Sequence, residues 1–196
     1  MKKIMTSVAF LALASMVQAA SLNWNITSVL DPDTGNKASG YAAYLFITEQ
    51  SSNFGSNTTT LTDVETLIKT AGTQVVTDGE GKVTGIKNGT TTIDVAGTGA
   101  TGASGGISGA TGYNGNNFGA GDSLTAFAVI FDAADFANAK NYIVTSPKSA
   151  AWTSSTGSKM LGFGNQANNT WTPIPEPSTA ALALAGLALL LKRRRA

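Results

Sequence analysis

Residues Leu124–Asp132 read LTAFAVIFD, the strongest strand pattern in the chain. A second run, Tyr41–Thr48, reads YAAYLFIT and is also apolar at successive positions. Successive side chains of a strand point to opposite faces, so a strand that is apolar throughout must be covered on both faces. Tyr41–Thr48 is therefore predicted to be a central strand of the main sheet.

Shorter strand patterns surround these two runs. Leu22, Trp24 and Ile26 alternate with polar residues, which predicts a half-buried first strand. A hairpin is predicted where the turn Asp78-Gly79-Glu80-Gly81 separates two strand-like segments, Thr73–Thr77 and Lys82–Lys87. Further strands are predicted at Thr90–Ala96, Asn141–Thr145 and Lys159–Phe163.

One internal helix is predicted. Thr62 and Glu65 have the spacing of a capping box, and a helix from about Asp63 to Thr70 would place three apolar side chains on one face: Val64, Leu67 and Ile68. About eight short strands without regular strand–helix alternation favour a mainly β fold. The predicted fold is an antiparallel, sandwich-like sheet with one short internal helix, plus an N-terminal signal helix and a C-terminal hydrophobic helix.

The segment Gly97–Gly121 contains ten glycines in 25 residues. Glycine is costly to order, so a long flexible loop is predicted here. Within it, Gly97–Gly102 matches GxGxxG and Gly102–Gly106 matches GxSxG. The first motif needs a following helix to receive a phosphate, and the second needs a histidine to accept the serine proton. The sequence after Gly102 cannot hold a helix, and both matches are interpreted as part of the loop.

Composition narrows the possible chemistry. The chain has no cysteine and no histidine, which removes disulfides, thiol nucleophiles, the commonest general base and the commonest metal ligand. Residues 20–174 contain seven lysines, no arginine and eleven acidic residues, a net charge of −4. This balance lacks the basic footprint of a nucleic-acid partner. We expect no cofactor, no metal and no catalytic residue.

Three weaker patterns remain as alternatives. Asp31, Asp33 and Asn36 could offer oxygen ligands to Ca²⁺, although Gly35 and Ala42 occupy positions where an EF-hand loop needs a ligand, so a turn is the preferred interpretation. A hydrolase would need paired carboxylates such as Asp132 and Asp135. A carbohydrate-binding or adhesive module would need exposed, coplanar rings among five aromatic residues: Trp24, Trp152, Trp171, Tyr41 and Tyr113.

The first nineteen residues have the pattern of a secretory signal. Lys2 and Lys3 form a basic start, an apolar region extends from Ile4 to Met16, and small residues Val17 and Ala19 precede the expected cleavage point. Signal peptidase is therefore an expected partner, and the exported body is predicted to span residues 20–172. Export also disfavours cytosolic ligands such as NAD or ATP.

The last residues, 173–196, form a distinct tail. Pro173, Pro175 and Pro177 can neither continue a helix nor donate to a strand ladder, so they are expected to separate the tail from the body. An apolar helix is predicted over residues 178–191, followed at once by Lys192, Arg193, Arg194 and Arg195. Such a helix is about 21 Å long, short of the ~30 Å hydrocarbon core. The basic cluster would lie on the cytoplasmic side and leave the body outside the inner membrane.

Pro175-Glu176-Pro177, the short apolar helix and the terminal basic cluster resemble the PEP-CTERM sorting tail of Gram-negative bacteria. The resemblance covers only the tail. It implies recognition by a membrane-embedded protease of the exosortase type, a cut near the Pro-Glu-Pro motif and delivery to the outer surface or extracellular matrix. It also implies a link to extracellular polysaccharide.

These observations together predict a non-catalytic exported protein of the cell surface or extracellular matrix. It would be held transiently in the inner membrane by its tail and then cut and released or retained at the surface. The alternative is the carbohydrate-binding or adhesive module described above.

Overall fold

A computed structural model describes residues 21–50, 58–114, 120–153 and 157–175. The predicted signal segment 1–19, with Val17 and Ala19, lies outside these residues. So do the predicted helix 178–191 and six of the proposed sorting residues: Glu176, Pro177, Lys192, Arg193, Arg194 and Arg195. In the described ranges, no helix has the length and apolarity needed to cross a bilayer.

The described part is mainly β, as predicted. Its elements are β1 (Ser21–Ile26), β2 (Ala42–Gln50), α1 (Leu61–Lys69), β3 (Gln74–Thr77), β4 (Val83–Asn88), β5 (Thr91–Asp94), β6 (Gly97–Ala100), β7 (Ile107–Asn114), β8 (Ser123–Phe131), β9 (Asn141–Val144), β10 (Lys148–Ala151), β11 (Ser158–Gly162) and β12 (Thr172–Pro173). A short 3₁₀ turn, Phe136–Asn138, precedes β9. The predicted count of about eight strands was too low, because several strands are only two to four residues long.

The two apolar runs form the centre of the largest sheet. β2 and β8 pair antiparallel, with Phe46 directly opposite Phe127. The rings of these two residues are stacked, with their centroids 5.6 Å apart. This sheet has the order β12-β9-β8-β2-β6, with β10 also pairing with β8. The prediction of a central strand at Tyr41–Thr48 is therefore confirmed.

Alternation along β2 and β8 divides the core into two clusters, one on each face of this sheet. The first core cluster contains Ala43, Leu45, Ala126, Ala128 and Ile130 and is covered by Leu22, Trp24, Ile26, Leu161 and Phe163 from β1, β11 and the residue after β11. The second core cluster contains Tyr44, Phe46, Phe127, Val129 and Phe131 and is covered by Val64, Leu67, Ile68, Ile86 and Ile93 from α1, β4 and β5. The central sheet is thus covered by a second sheet on one face and by a helix and hairpin on the other.

The second sheet departs from the antiparallel prediction. β1 pairs antiparallel with β7 but parallel with β11. Parallel neighbours need a long crossover connection. Here that connection is nearly the whole body, since Ser21 pairs with Ser158. Sequence patterns report short-range periodicity and contain no signal for such a distant pairing.

The helix begins earlier than predicted. Its capping box joins Thr60 and Asp63, with the Asp63 amide donating to the Thr60 hydroxyl at 3.1 Å, whereas Thr62 lies within the first turn. Capping at Thr60 brings Leu61 into the helix, where it packs against the second core cluster. Val64, Leu67 and Ile68 are buried as predicted.

The prediction of a flexible glycine-rich loop at 97–121 was wrong, because much of this segment forms β6 and β7. Its glycines permit close backbone approach. A Cβ atom on Gly106 would lie 2.6 Å from the Thr27 carbonyl oxygen, and one on Gly105 would lie 2.7 Å from that of Val29. The Val29 amide donates to the Gly105 carbonyl at 2.7 Å, so the glycine turn is joined to the chain that follows β1.

Replacing Gly106 by alanine tests this account. Gly106→Ala is expected to lower the free energy of unfolding by about 1–3 kcal/mol, because the new methyl group would overlap backbone oxygens that cannot move independently. Urea unfolding of the purified protein measures the change. Gly79→Ala is the matched control, since no atom lies within 4 Å of its added Cβ. Equal unfolding midpoints for the two variants would contradict the close-approach explanation.

Candidate functional site

Near the end of the described residues lies a short segment, Trp171–Ile174, which we call the closing segment. Its central residues Thr172 and Pro173 form β12 and pair antiparallel with Tyr142 and Asn141 of β9. The Ile174 amide extends this pairing by donating to the Lys140 carbonyl at 2.7 Å. At the two ends of the segment, Trp171 packs against the first core cluster and Ile174 packs against the second.

Pro173 is part of the sheet, which corrects the prediction that the body ends at residue 172. In an antiparallel pair, hydrogen-bonded and non-hydrogen-bonded positions alternate. Because Ile174 bonds to Lys140, the neighbouring pair of Pro173 and Asn141 occupies a non-hydrogen-bonded position. At this position no N–H is needed for the hydrogen bonds with β9, so a proline costs none of them. Pro173 also lies on an edge strand, where proline is tolerated.

Trp171 holds the start of the closing segment. Its indole Nε1 donates to the Leu30 carbonyl at 3.0 Å. Its ring packs edge-on against Tyr41, with centroids 5.9 Å apart and an interplanar angle of 83°. Both rings are half-buried and pack against the first core cluster. The closing segment is thus joined to β2 through Tyr41, although the two are far apart in sequence.

Asp31 fixes the Tyr41 ring from the other side. The Tyr41 hydroxyl donates to Asp31 Oδ2, while Asp31 Oδ1 accepts from the amides of Asp33 and Thr34. The hydrogen bond from Tyr41, together with those from Thr34 and Asp33, lowers the pKa of Asp31 to about 2. Burial and the neighbouring Asp31 carboxylate raise the pKa of Tyr41. The carboxylate is therefore charged and the phenol is neutral across the physiological range.

The predicted turn at Asp31–Asn36 is confirmed by the Asp31 amide bond to the Asn36 carbonyl, 2.8 Å long. Both carboxylate oxygens of Asp31, the first candidate Ca²⁺ ligand, already accept hydrogen bonds from Tyr41 or from this turn. In the part of the chain that the structure describes, no group of three or more acidic side chains is arranged to hold a metal ion.

Ile174 holds the end of the closing segment. It is half-buried and packs against the second core cluster. Beside it lies an open, largely apolar cleft of about 500 Å³, lined by the turn after α1, the 3₁₀ turn, Ile174 and Pro175. Pro175 is exposed at its rim. Pro175, the first residue of the proposed sorting motif, is also the last residue that the structure describes.

The aromatic residues considered for sugar binding are not brought together. Trp24 and Trp152 are 0% and 2% exposed, so both belong to the core. Tyr41 and Trp171 are adjacent but nearly perpendicular, so they do not form a flat platform. The side chain of Tyr113 lies outside the described side chains. This arrangement counts against a planar carbohydrate-binding surface built from these residues.

The two carboxylates considered for hydrolysis serve separate turns. Asp132 accepts from the amides of Lys140 and Asn141 at 2.8 and 2.9 Å and so fixes the start of β9. Asp135 caps the 3₁₀ turn by accepting from the Asn138 amide at 2.9 Å. Asp132 thereby supports the strand on which the closing segment pairs.

The glycine motifs also have structural roles. Gly97–Ala100 is strand β6, paired with β2, and the next element is strand β7. The helix that a GxGxxG phosphate site requires does not follow. Ser104 of the GxSxG match is exposed in the turn between β6 and β7.

A second cleft, about 390 Å³, lies between α1 and β5, and half of its lining residues are threonines. Its polar groups are used locally. Asn88 Nδ2 donates to the Ala71 carbonyl at 2.9 Å, the Thr70 hydroxyl donates to the Thr66 carbonyl at 2.7 Å, and Asp63 caps α1. No set of side chains therefore converges on a ligand position in this cleft, as far as the described residues extend.

The link between Asp31 and Tyr41 predicts a measurable pH dependence. A carboxyl group whose pKa is lowered on folding stabilises the fold above its unfolded pKa, about 3.9, and this stabilisation is lost as pH falls towards 2. Tyr41→Phe keeps the ring and removes the hydroxyl, so the pKa of Asp31 is expected to rise. NMR titration of the Asp31 carboxyl measures this, with Tyr44→Phe as control. An unchanged Asp31 pKa in Tyr41→Phe would contradict the assigned cause.

Neither a family model, a curated protein nor a solved structure matches this chain.

Proposed function

We propose that the protein is a non-catalytic component of the cell surface or extracellular matrix, exported by its N-terminal signal and sorted through its C-terminal tail. Signal peptidase would cut after Ala19, and an exosortase-type membrane protease would cut near Pro175-Glu176-Pro177. The inner membrane would hold the precursor only transiently.

The observation that carries this proposal is the position of the motif. The contacts of the folded body continue through Ile174, and the exposed Pro175 follows immediately. The motif thus begins at the first residue beyond the closing segment. Proteolytic processing favours exposed segments at the ends of folded domains. A cut beyond Ile174 would leave every described contact of the body intact.

The tail sequence supports the same proposal. The uncharged stretch Ala180–Leu191 is twelve residues long and is followed at once by four basic residues. Twelve helical residues extend about 18 Å, well short of a ~30 Å hydrocarbon core, which suits a transient anchor better than a permanent one. The basic cluster favours a cytoplasmic C-terminus, which agrees with export of the body.

The structural roles of its polar groups favour a non-catalytic body. The carboxylates of Asp31, Asp132 and Asp135 are engaged in turns, and the two tryptophans of the core are closed to ligands. A role alongside extracellular polysaccharide rests on the resemblance of the tail alone. Retention in a matrix would not require a binding cleft.

Mass spectrometry of the protein from membranes, cell surface and medium tests the proposal. The mature form is expected to begin at Ala20 and to end beyond Ile174 but before the apolar stretch. Deletion of the membrane protease should leave a precursor that keeps Lys192–Arg195. Intact termini in every fraction of the competent host would refute the processing.

A charge variant gives a matched test of the tail. Replacing Arg193, Arg194 and Arg195 by glutamine should cause precursor to accumulate, because the cytoplasmic anchor of the tail is weakened. The control replaces three exposed lysines of the body by glutamine, namely Lys82, Lys87 and Lys148, and should be processed normally. Equal processing of the two variants would show that the basic cluster has no sorting role.

A further inference from the structure

We propose that the closing segment Trp171–Ile174 is also part of the substrate of the processing protease, and that it must leave β9 before the motif can be cut. This inference rests on the proposed sorting function. It assigns the segment two alternating partners, the body sheet and the substrate groove of the protease. Docking on the body would then regulate the rate of sorting.

The main-chain groups of the closing segment are already paired with β9 in the folded body. Proteins commonly bind extended peptides through main-chain hydrogen bonds, as an added strand. In the folded body the Ile174 amide is bonded to the Lys140 carbonyl, and Thr172 pairs with Tyr142. Residues just before Pro175 therefore cannot offer these groups to an enzyme while β12 is docked.

The distance that the chain can span beyond Ile174 also limits access to the motif. A chain extends at most about 3.6 Å per residue, so Pro177 lies within about 11 Å of the fixed Ile174. A protease active site would have to fit against the body surface to reach a bond in this interval. Release of the four residues of the closing segment adds up to about 14 Å of slack.

The membrane makes this limit more severe. Only residues 175–179 separate Ile174 from the apolar stretch that starts at Ala180. Five residues extend at most about 18 Å, so a tethered body with a docked closing segment would lie close to the bilayer surface. A membrane-embedded protease would have to work within that gap.

The closing segment is suited to reversible release. β12 has only two paired residues and lies at the edge of the central sheet. Trp171 and Ile174, which hold its ends, are half-buried rather than fully buried. Edge segments with few buried contacts open at much lower free energy than the core strands. Opening would therefore leave β2 and β8 paired.

A reversible covalent lock tests the proposal directly. Pro173 and Asn141 face each other at a non-hydrogen-bonded position, where Cα atoms of paired strands approach to about 4.5 Å, within the range a disulfide spans. The chain has no native cysteine, so a double variant with Asn141→Cys and Pro173→Cys can form only this intramolecular disulfide. Its formation is checked by alkylation of free thiols.

Pulse-chase labelling of the full chain in a host with the protease gives the readout. The oxidised variant is expected to be processed at least about tenfold more slowly than the same variant after addition of a reductant. The two single-cysteine variants and the wild-type chain, with and without reductant, are the controls. Equal processing of the locked and reduced forms would overturn the inference and leave the proposed function standing.

Weakening the attachment of the closing segment to the body gives the opposite test. Tyr41→Ala removes the ring that packs against Trp171 and leaves the closing segment itself unchanged, so it should accelerate processing by about threefold or more. Met160→Ala, an exposed side chain on β11 outside the closing segment, should change the rate by less than about twofold. Hydrogen exchange of the Ile174 amide should increase in proportion to processing in these variants. Faster exchange without faster processing would overturn the inference.

The two proposals fail in different ways. A wild-type chain that keeps its tail in the competent host overturns the sorting function and this inference with it. A wild-type chain that is processed, together with a locked variant processed equally fast, overturns only the role of the closing segment.

Discussion

The pairing of β2 with β8 is the interaction on which the rest of the structure depends. Both strands are buried on both faces, and their side chains alternate between the two core clusters. A one-residue slip would exchange the two sets and place the aromatic residues of the second core cluster among the small residues of the first. The stacked pair Phe46 and Phe127 fixes the register. Most other described elements pack against one face of this pair or pair with its edges, and β12 is joined to it through β9.

The closing segment continues this two-faced construction at the edge of the sheet. Trp171 contacts the first core cluster and Ile174 contacts the second, so four residues touch both faces. The segment therefore belongs to the folded body, although Pro173 is one of the prolines expected to separate the predicted tail from that body. It directly precedes Pro175, the first residue of the proposed sorting motif.

Several residue types that suggest chemistry have structural duties here. Asp31 orients Tyr41, Asp132 fixes the start of β9, and Asp135 caps a turn. Gly105 and Gly106 allow the turn before β7 to pack against the backbone after β1. Each duty satisfies backbone groups or permits close packing in a body with a small share of charged residues. The motif matches at these positions therefore reflect residues that the local backbone structure requires.

Much of this fold follows from the sequence because it depends on short-range patterns. Apolar continuity specified the buried strands, alternation specified β1, and turn chemistry specified the hairpin of β3 and β4. The character of the two ends, including the proposed sorting motif, is likewise a property of residue order and charge. The tertiary structure decided the strand character of β6 and β7, the parallel pairing of β1 with β11 and the place of Pro173 in the sheet. Each of these depends on a partner that is distant in sequence, and for such pairings local propensity yields to the hydrogen bonds and packing that the partner supplies.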